Sequence, residues 1–188
     1  LAIHFMALHW ANDPVGQIIQ SARALQPDGL FQAVCLGGQT LNELRICLAQ
    51  AESEVTGGLS PRIAPMGEIR DLGALLQRAG LALPVADNIT VRTSYKDAFH
   101  LMHDLRNFGE TNALNARLRH PTKRAIFDRC AEIYAKTFAE DGKIIATFEF
   151  LFLSGWAPSA DQPKPLRPGS ATSRLADALK TTEKPLRD

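Results

Sequence analysis

Polar and aromatic side chains stand directly after a buried strand near the start of the chain. His9 and Trp10 follow residues 1–8, an apolar run with the length and continuous hydrophobicity of a parallel strand buried on both faces. Open α/β sheets bind ligands at the carboxyl ends of such strands. The position indicates a ligand pocket with His9 and Trp10 in its wall. The structural alternative is a buried pair of rings that closes the corner between strand and helix.

A second group of polar side chains lies in the predicted helix at 95–108 and just after it. Its members are Asp104, Arg106, Glu110 and Asn112. One interpretation is a polar pocket lined by all four, and the other is a surface pair between Arg106 and Glu110, four residues apart on a helix. Glu43 and Arg45, on an earlier predicted helix, have the same two interpretations: pocket rim or helix surface.

Metal chemistry has little support in the sequence. His100, His103 and Asp104 have helical spacing, but no third ligand motif stands nearby, so a solvated helix face is the favoured interpretation and no metal site is predicted. The three cysteines include no CxxC pair, which indicates reduced thiols rather than a disulfide framework or a zinc site.

Composition excludes two further classes of protein. The chain has 188 residues, and its net charge of +1 lacks the basic surplus of a dedicated nucleic-acid binder. No stretch reaches the roughly 18 apolar residues that a transmembrane helix needs, so an integral membrane protein is excluded. The 45% hydrophobic content suffices for one compact domain with its own core.

The pattern of apolar residues predicts an α/β domain over residues 1–156. A strand at 1–8, a helix after Asp13-Pro14 and a strand at Leu30–Leu36 form a βαβ unit, which predicts parallel pairing. Further strands are predicted at 85–93 and 143–155, and we expect the second of these to lie between Leu30–Leu36 and 85–93 and to run antiparallel to both. The strand at 143–155 is apolar on both faces, so we expect helices on both sides of it. Its Glu149 either pairs with a partner or faces solvent at an edge.

A long insertion separates the last two strands. Residues 95–138 contain two amphipathic stripes where a short hairpin would suffice, which marks a candidate functional element. We expect a helical cap over the carboxyl ends of 1–8 and Leu30–Leu36, with Arg106 contacting Glu110 or Glu43. Residues 157–188 hold five of the 11 prolines and no aromatic residue, and we expect a proline-rich arm.

The chain resembles a known enzyme family over nearly its whole length. Residues 1–156 resemble the C-terminal half of a class I S-adenosylmethionine-dependent methyltransferase, and the subfamily motifs look like those of bacterial relatives of mitochondrial complex I assembly factor 5. The malonyl-carrier-protein methyltransferase of biotin synthesis is similar in general layout. The motifs that carry the resemblance are residues 7–10, 37–45, 104–114, 146–148 and 162–171.

The resemblance implies a fold and a set of site residues. The implied fold is a Rossmann-like sheet of parallel strands with a final antiparallel pair and a helical cap insertion. The implied cofactor is S-adenosylmethionine, and no catalytic residue is assigned. The residues implied to face the methyl donor are Ala7, Leu8, His9 and Trp10. The residues implied to bind substrate are Glu43, Arg45, Asp104, Arg106, Glu110 and Asn112.

One departure from the family pattern limits what this chain is expected to do. The glycine-rich loop after the first strand and the acidic residue that ends the second strand are missing. Gly37 and Gly38 do not replace the loop, because the resemblance places the preceding strand fifth. We therefore expect the chain to be the later half of a longer protein, to bind S-adenosylmethionine poorly by itself and to be inactive alone.

The resemblance implies a methyltransferase-like enzyme that acts on a protein or carrier-bound substrate. The alternatives are a protein-arginine hydroxylase and a non-catalytic assembly factor for respiratory complex I, with a complex I subunit as partner. Neither a nucleic-acid partner nor an integral membrane segment is expected. The expected location is the bacterial cytoplasm; a peripheral position at the inner membrane and a homo-oligomer stay open.

Overall fold

A computed structural model describes residues 1–164, 169–170 and 173–182. The chain divides into two compact units, Leu1–Pro158 and Ser159–Asp188. Parts of the predicted arm at 157–188, namely residues 165–168, 171–172 and 183–188, lie outside the described residues. The elements are β1 (Ala2–Phe5), α1 (Pro14–Ala24), β2 (Leu30–Leu36), α2 (Asn42–Thr56), α3 (Ile69–Arg78), β3 (Ala82–Tyr95), α4 (Ala98–Asn107), α5 (Arg124–Thr137), β4 (Ala139–Glu140), β5 (Lys143–Trp156) and α6 (Leu175–Ala178).

The strands form one mixed sheet in the order β1-β2-β5-β3, and β4 pairs with β5. Strands β1 and β2 are parallel, with Ala2 opposite Phe31. Strand β5 runs antiparallel to both β2 and β3 and lies between them. This arrangement confirms the predicted parallel pair, the predicted central strand at 143–155 and the predicted fold class. The first strand is shorter than expected because the backbone turns at Met6 (φ 50°) into a single 3₁₀ turn at Leu8–Trp10.

Helices cover the two faces of the sheet unequally. On one face, α1 and α3 pack over the buried residues Phe31, Leu151 and Leu153. On the other face, α4 and α5 cover the first half of β5, while Phe152 farther along the strand is exposed. Helices therefore lie on both sides of β5, as expected, but within the described residues those on the second face do not cover the strand to its end. The helices supplied by residues 95–138 extend only over the beginning of the strand.

The edge strand β1 is also apolar and unprotected within the described residues. Ile3 is 61% exposed and Phe5 is 74% exposed. Apolar edge strands readily pair with other chains. This edge and the open part of the adjacent face form the least covered region of the first unit.

The predicted cap is helical but packs elsewhere than expected. Helix α5 lies mainly against α2, and the shared core includes Cys47, Leu101, Cys130 and Tyr134. We expected the helices to sit over the ends of β1 and β2, above His9. Instead the irregular segment between α4 and α5 reaches that position. The helices pack on α2 because its buried apolar residues, among them Leu44 and Cys47, form one core with theirs.

A buried carboxylate holds the turn that leads from β2 into α2. The backbone N–H of Gln39 donates to Glu149 Oε2 (3.0 Å), and Asn88 Nδ2 donates to Glu149 Oε1 (2.8 Å). The backbone of Glu149 is bound as well, since its carbonyl accepts from Gly37 N–H (2.8 Å) and its N–H donates to Thr40 Oγ1 (3.0 Å). Glu149 is thus buried and paired, which settles the two alternatives of the sequence analysis.

A second buried carboxylate, Glu43, fixes the first turn of α2 to β5. It accepts hydrogen bonds from the backbone N–H of Thr147 (3.2 Å) and from the Thr147 hydroxyl. The N–H of Leu41 donates to the Thr147 carbonyl (2.7 Å), and Leu41 adopts a left-handed conformation (φ 55°). The start of α2 is therefore fixed by polar bonds as well as by its apolar stripe.

Replacement of Gly37 by alanine should destabilise the protein. A Cβ atom at Gly37 would lie 2.5 Å from Glu149 Oε2, and that carboxylate cannot retreat without losing its own hydrogen bonds. We expect Gly37→Ala to lower the free energy of unfolding by about 2 kcal/mol, measured by urea denaturation. The matched control is Gly58→Ala, where the added Cβ meets nothing within 4 Å. Equal effects of the two substitutions would contradict this role for Gly37.

Candidate functional site

A cavity of about 950 Å³ lies beside the carboxyl end of β1. One wall consists of residues 9–12, and a second consists of Leu41, Leu44 and Leu48 on α2. The remaining walls come from loop 60–66 and from the stretch between Met102 and Phe127 that contains the irregular segment. The cavity therefore joins the end of the sheet to the inserted residues, and its size is that of a typical small-molecule site.

His9 and Glu110 connect these two parts of the cavity. His9 Nε2 donates to Glu110 Oε1 at 3.1 Å, and only 5% of the His9 side chain is exposed. The Trp10 ring lies 5.7 Å from the His9 ring, measured between centroids. His9 Nδ1 is buried and has no hydrogen-bond partner among the described residues. Because Glu110 fixes the ring through Nε2, a ligand group reaching Nδ1 would meet an oriented imidazole.

The loop wall of the cavity is fixed by an ion pair that the sequence analysis missed. Glu52 accepts from Arg62 Nη2 at 2.6 Å and from Arg62 Nε at 3.0 Å, and Ser60 also donates to it. The hydrogen bond from Arg62 is the main reason that the pKa of Glu52 falls from 4.5 to about 2. Arg62 also donates to Thr122 Oγ1 (3.0 Å), so one guanidinium joins α2, the loop and the inserted residues.

No strong signal in the sequence indicates this pair. Glu52 follows Leu48 on the inward stripe of α2, and Arg62 lies ten residues later in a loop. A carboxylate on an apolar stripe indicates a buried partner, but the sequence does not say which cation it is. Asn112 adds a further link, since its Nδ2 donates to the Pro61 carbonyl at 2.9 Å.

The structure brings together only part of the predicted site. The predicted residues that line the cavity are His9, Trp10, Arg106, Glu110 and Asn112. The predicted residues that do not line it are Ala7, Leu8, Glu43, Arg45 and Asp104.

The residues outside the cavity have other positions. Leu8 is buried in the core under α1, Ala7 is exposed, and Glu43 is bound to Thr147. Arg45 is half-buried, and its Nη2 has no hydrogen-bond partner among the described residues. Asp104 is half-buried on α4 near Tyr95, whose pKa is raised first by burial and then by the Asp104 charge.

The prediction about the partner of Arg106 was wrong. We expected a contact with Glu110 or Glu43, but Glu110 is bound to His9 and Glu43 to Thr147. Arg106 is exposed and forms no ion pair with any residue that the structure describes. Its guanidinium stands at the cavity wall with its charge uncompensated.

Metal binding finds no support in the described part of the chain. No group of three or more His, Cys, Asp and Glu residues there could hold a metal ion. Instead, His100 Nδ1 lies 2.9 Å from Asp97 Oδ1 at the start of α4. Within the same residues, no helix combines the length and the hydropathy needed to cross a bilayer.

The residues present fit a methyl donor only in part. The glycines at the end of β2 already hold side chains of the protein: a Cβ at Gly37 would meet the Glu149 carboxylate, and one at Gly38 would meet the Glu68 carboxylate. The two carboxylates therefore occupy the space at this turn that the anionic end of a cofactor would need. His9 and Trp10 at the end of β1 line the cavity, and their assignment as a wall for a methyl donor stays a prediction.

The ion pair between Glu52 and Arg62 should make stability depend on acid pH. The folded-state pKa of Glu52, about 2, lies below its ordinary 4.5, so the stabilisation is present above pH 4.5 and lost as the pH falls towards 2. We expect Glu52→Gln to cost about 3 kcal/mol of unfolding free energy at pH 7 and much less at pH 3, measured by urea denaturation. The control Glu132→Gln, in an exposed pair with Arg129, should change little at either pH. A cost for Glu52→Gln that is the same at both pH values would contradict this role.

Comparison with known proteins gives close relatives but no matching family model. The arginine-hydroxylase NDUFAF5, mitochondrial, of Danio rerio is 38% identical over 182 residues, which are 96% of this chain and 56% of that protein. The human protein of the same name is 38% identical over 175 residues, 92% of this chain and 50% of that protein. A malonyl-(acyl-carrier protein) O-methyltransferase of Methylovorus sp. (strain MP688) is 33% identical over 155 residues, 82% of this chain and 50% of that protein.

Solved structures share less sequence identity with the chain than these relatives do. The YcgJ protein of Bacillus subtilis has a TM-score of 0.49 and 13% identity, over 85% of this chain and 64% of that one. At this level of similarity, the fold is assigned from the strands and helices of the chain itself and not from the solved structure. The chain spans about half the length of the curated relatives it matches. Over that half, its similarity to NDUFAF5 and to the malonyl-carrier-protein methyltransferases supports the predicted resemblance to S-adenosylmethionine-dependent methyltransferases.

Proposed function

We propose that the chain forms the substrate side of an S-adenosylmethionine-dependent methyltransferase-like enzyme that acts on a protein or carrier-bound substrate. The observation that carries this proposal is the cavity in which Glu110 holds His9 at the carboxyl end of β1. Ligands of open α/β sheets bind at such strand ends. The sequence similarity to a methyltransferase of about twice this length supports the same assignment.

The residues of this chain would position the acceptor group. A bound methyl donor supplies an electrophilic methyl group. His9 and Trp10 form the wall towards it, and Glu110 keeps the imidazole in one orientation. Arg106 and Arg117 face the cavity as donors for an anionic or carbonyl group of the substrate. Catalysis in such a site depends mainly on positioning and on exclusion of water.

The charges of the cavity support methyl transfer over arginine hydroxylation. Three arginines line it, but Arg62 is paired with Glu52, which leaves Arg106 and Arg117 without an ion-pair partner among the described residues; the one lining carboxylate, Glu110, is bound to His9. Such a lining favours an anionic or neutral acceptor over the cationic side chain of a protein arginine. Arginine hydroxylation, the reaction named for the NDUFAF5 relatives, is thus the second candidate. A non-catalytic assembly factor for respiratory complex I is the third, and it needs no methyl donor.

Calorimetric titration of the full-length gene product with S-adenosylmethionine tests this proposal. We expect the full-length protein to bind the donor and the 188-residue chain alone to bind it poorly, because its described residues provide a single wall. Trp10→Ala should weaken donor binding about tenfold in the full-length protein, and Trp156→Ala, on β5 outside the cavity, is the control. Absence of donor binding to the full-length protein would favour the assembly-factor alternative instead.

Substitution of Arg106 should separate substrate binding from donor binding. With malonyl-carrier protein as methyl acceptor, we expect Arg106→Ala in the full-length protein to raise KM about tenfold, because the side chain lines the cavity and carries an uncompensated charge. Its affinity for S-adenosylmethionine should stay within about twofold of the unsubstituted protein. Equal losses in both measurements would place Arg106 in the donor site and contradict its assignment to substrate.

A further inference from the structure

The stretch at residues 106–124, which is the irregular segment together with the adjoining ends of α4 and α5, carries an unusual charge for this chain. It contains five Lys and Arg residues and one acidic residue, Glu110, so its net charge is +4, whereas the whole chain has a net charge of +1. The segment runs from the last turn of α4 to the first residue of α5 and contributes much of the cavity wall. Five of the 21 Lys and Arg residues of the chain thus lie in this stretch, and two of them, Arg106 and Arg117, line the candidate site.

Most of this charge has no partner within the described residues. Glu110 is bound to His9, and Arg106, Arg119 and Lys123 form no ion pair there. Arg117 Nη1 donates only to the Leu114 carbonyl (2.9 Å). Uncompensated cations placed close together repel one another and attract an anionic partner.

Apolar side chains are exposed among these cations. Phe108 is 66% exposed and Leu118 is 39% exposed. The segment is also held in place, since Asn112 donates to the Pro61 carbonyl and Thr122 accepts from Arg62. An anchored surface that combines cations with large apolar groups has the composition of a protein interface, in which arginine and aromatic residues are enriched.

We propose that residues 106–124 form a docking surface for an acidic, amphipathic polypeptide that delivers its substrate group into the adjoining cavity. This inference rests on the proposed function and specifies the partner of the same site. Arg119 and Lys123 lie outside the cavity lining and would bind carboxylates of the partner. Phe108 and Leu118 would pack against its apolar side chains. Arginine suits this role because its planar guanidinium pairs with a carboxylate through two hydrogen bonds.

A protein partner fits the segment better than an anionic membrane does. Helices that lie in membrane interfaces present one continuous apolar face, with cations on the opposite face. Residues 108–123 lie between α4 and α5 and form no helix, so they present no such face. Two of the cations, Arg106 and Arg117, line the cavity, and a docked polypeptide can insert one of its groups there.

Fluorescence anisotropy with a labelled peptide tests the proposal on the full-length protein. The probe is a 20-residue amphipathic peptide with Glu on its polar face and Leu on its apolar face, and the comparison peptide has Gln in place of Glu. We expect the Glu peptide to bind at least about tenfold more tightly than the Gln peptide, and the difference to shrink with added salt. The double variant Arg119→Glu/Lys123→Glu should lose this preference.

Controls separate docking from net charge, from misfolding and from the proposed reaction. The double variant Arg70→Glu/Arg78→Glu changes two exposed arginines of α3, alters the net charge equally and should keep the preference for the Glu peptide. Thermal unfolding of each variant checks its fold. S-adenosylmethionine titration of the same samples shows whether the proposed function fails independently of docking.

Three results would overturn the proposal. The first is that the unsubstituted protein fails to prefer the Glu peptide. The second is that both double variants lose that preference equally, because net charge alone would then explain it. The third is that Arg119 and Lys123 mediate tighter binding to vesicles of phosphatidylglycerol and phosphatidylcholine than to the peptide, which would make the segment a membrane-binding surface.

Discussion

Two buried carboxylates, Glu43 and Glu149, determine where the chain goes after it leaves the parallel part of the sheet. Burial of a carboxylate is costly unless hydrogen bonds replace its water shell. Here the donors come from the turn after β2, from Thr147 and from Asn88. These groups can all be satisfied only if the turn lies against β5 and α2 starts beside Thr147. Helix α2, and with it one wall of the cavity, is therefore positioned by polar bonds between distant parts of the sequence.

The candidate site follows from the position of α2. Its apolar stripe binds α5 on one side and supplies Leu41, Leu44 and Leu48 to the cavity on the other. Its Glu52 holds Arg62, and Arg62 reaches the inserted residues at Thr122. The irregular segment is thus anchored to loop 60–66 through Asn112 and Thr122, and its Glu110 meets His9. Arg106, Arg119 and Lys123 stay exposed and form no ion pair among the described residues.

The strands and their order were predictable, whereas the pairing of side chains was not. Apolar runs and the family resemblance predicted the parallel pair and the central position of β5, because burial on both faces leaves a continuous hydrophobic pattern. The bond between His9 and Glu110 joins residues 101 positions apart, and nothing in either local sequence indicates the other. Arg106 lacks its expected partner because both candidate carboxylates have nearer donors. The open part of the sheet face was missed because the cap packs on α2 rather than across the strands.

The most direct test of the central claim is a structure of the full-length protein with S-adenosylhomocysteine bound. If the cavity is the substrate side of a methyltransferase-like site, the ligand will bind outside the cavity, next to His9 and Trp10. Its sulfur atom will then point past these two residues towards the space bounded by Arg106, Glu110 and Asn112. Those three side chains will then remain free of contacts with the ligand. A ligand bound away from the end of β1, or one that fills the cavity itself, would contradict the assignment.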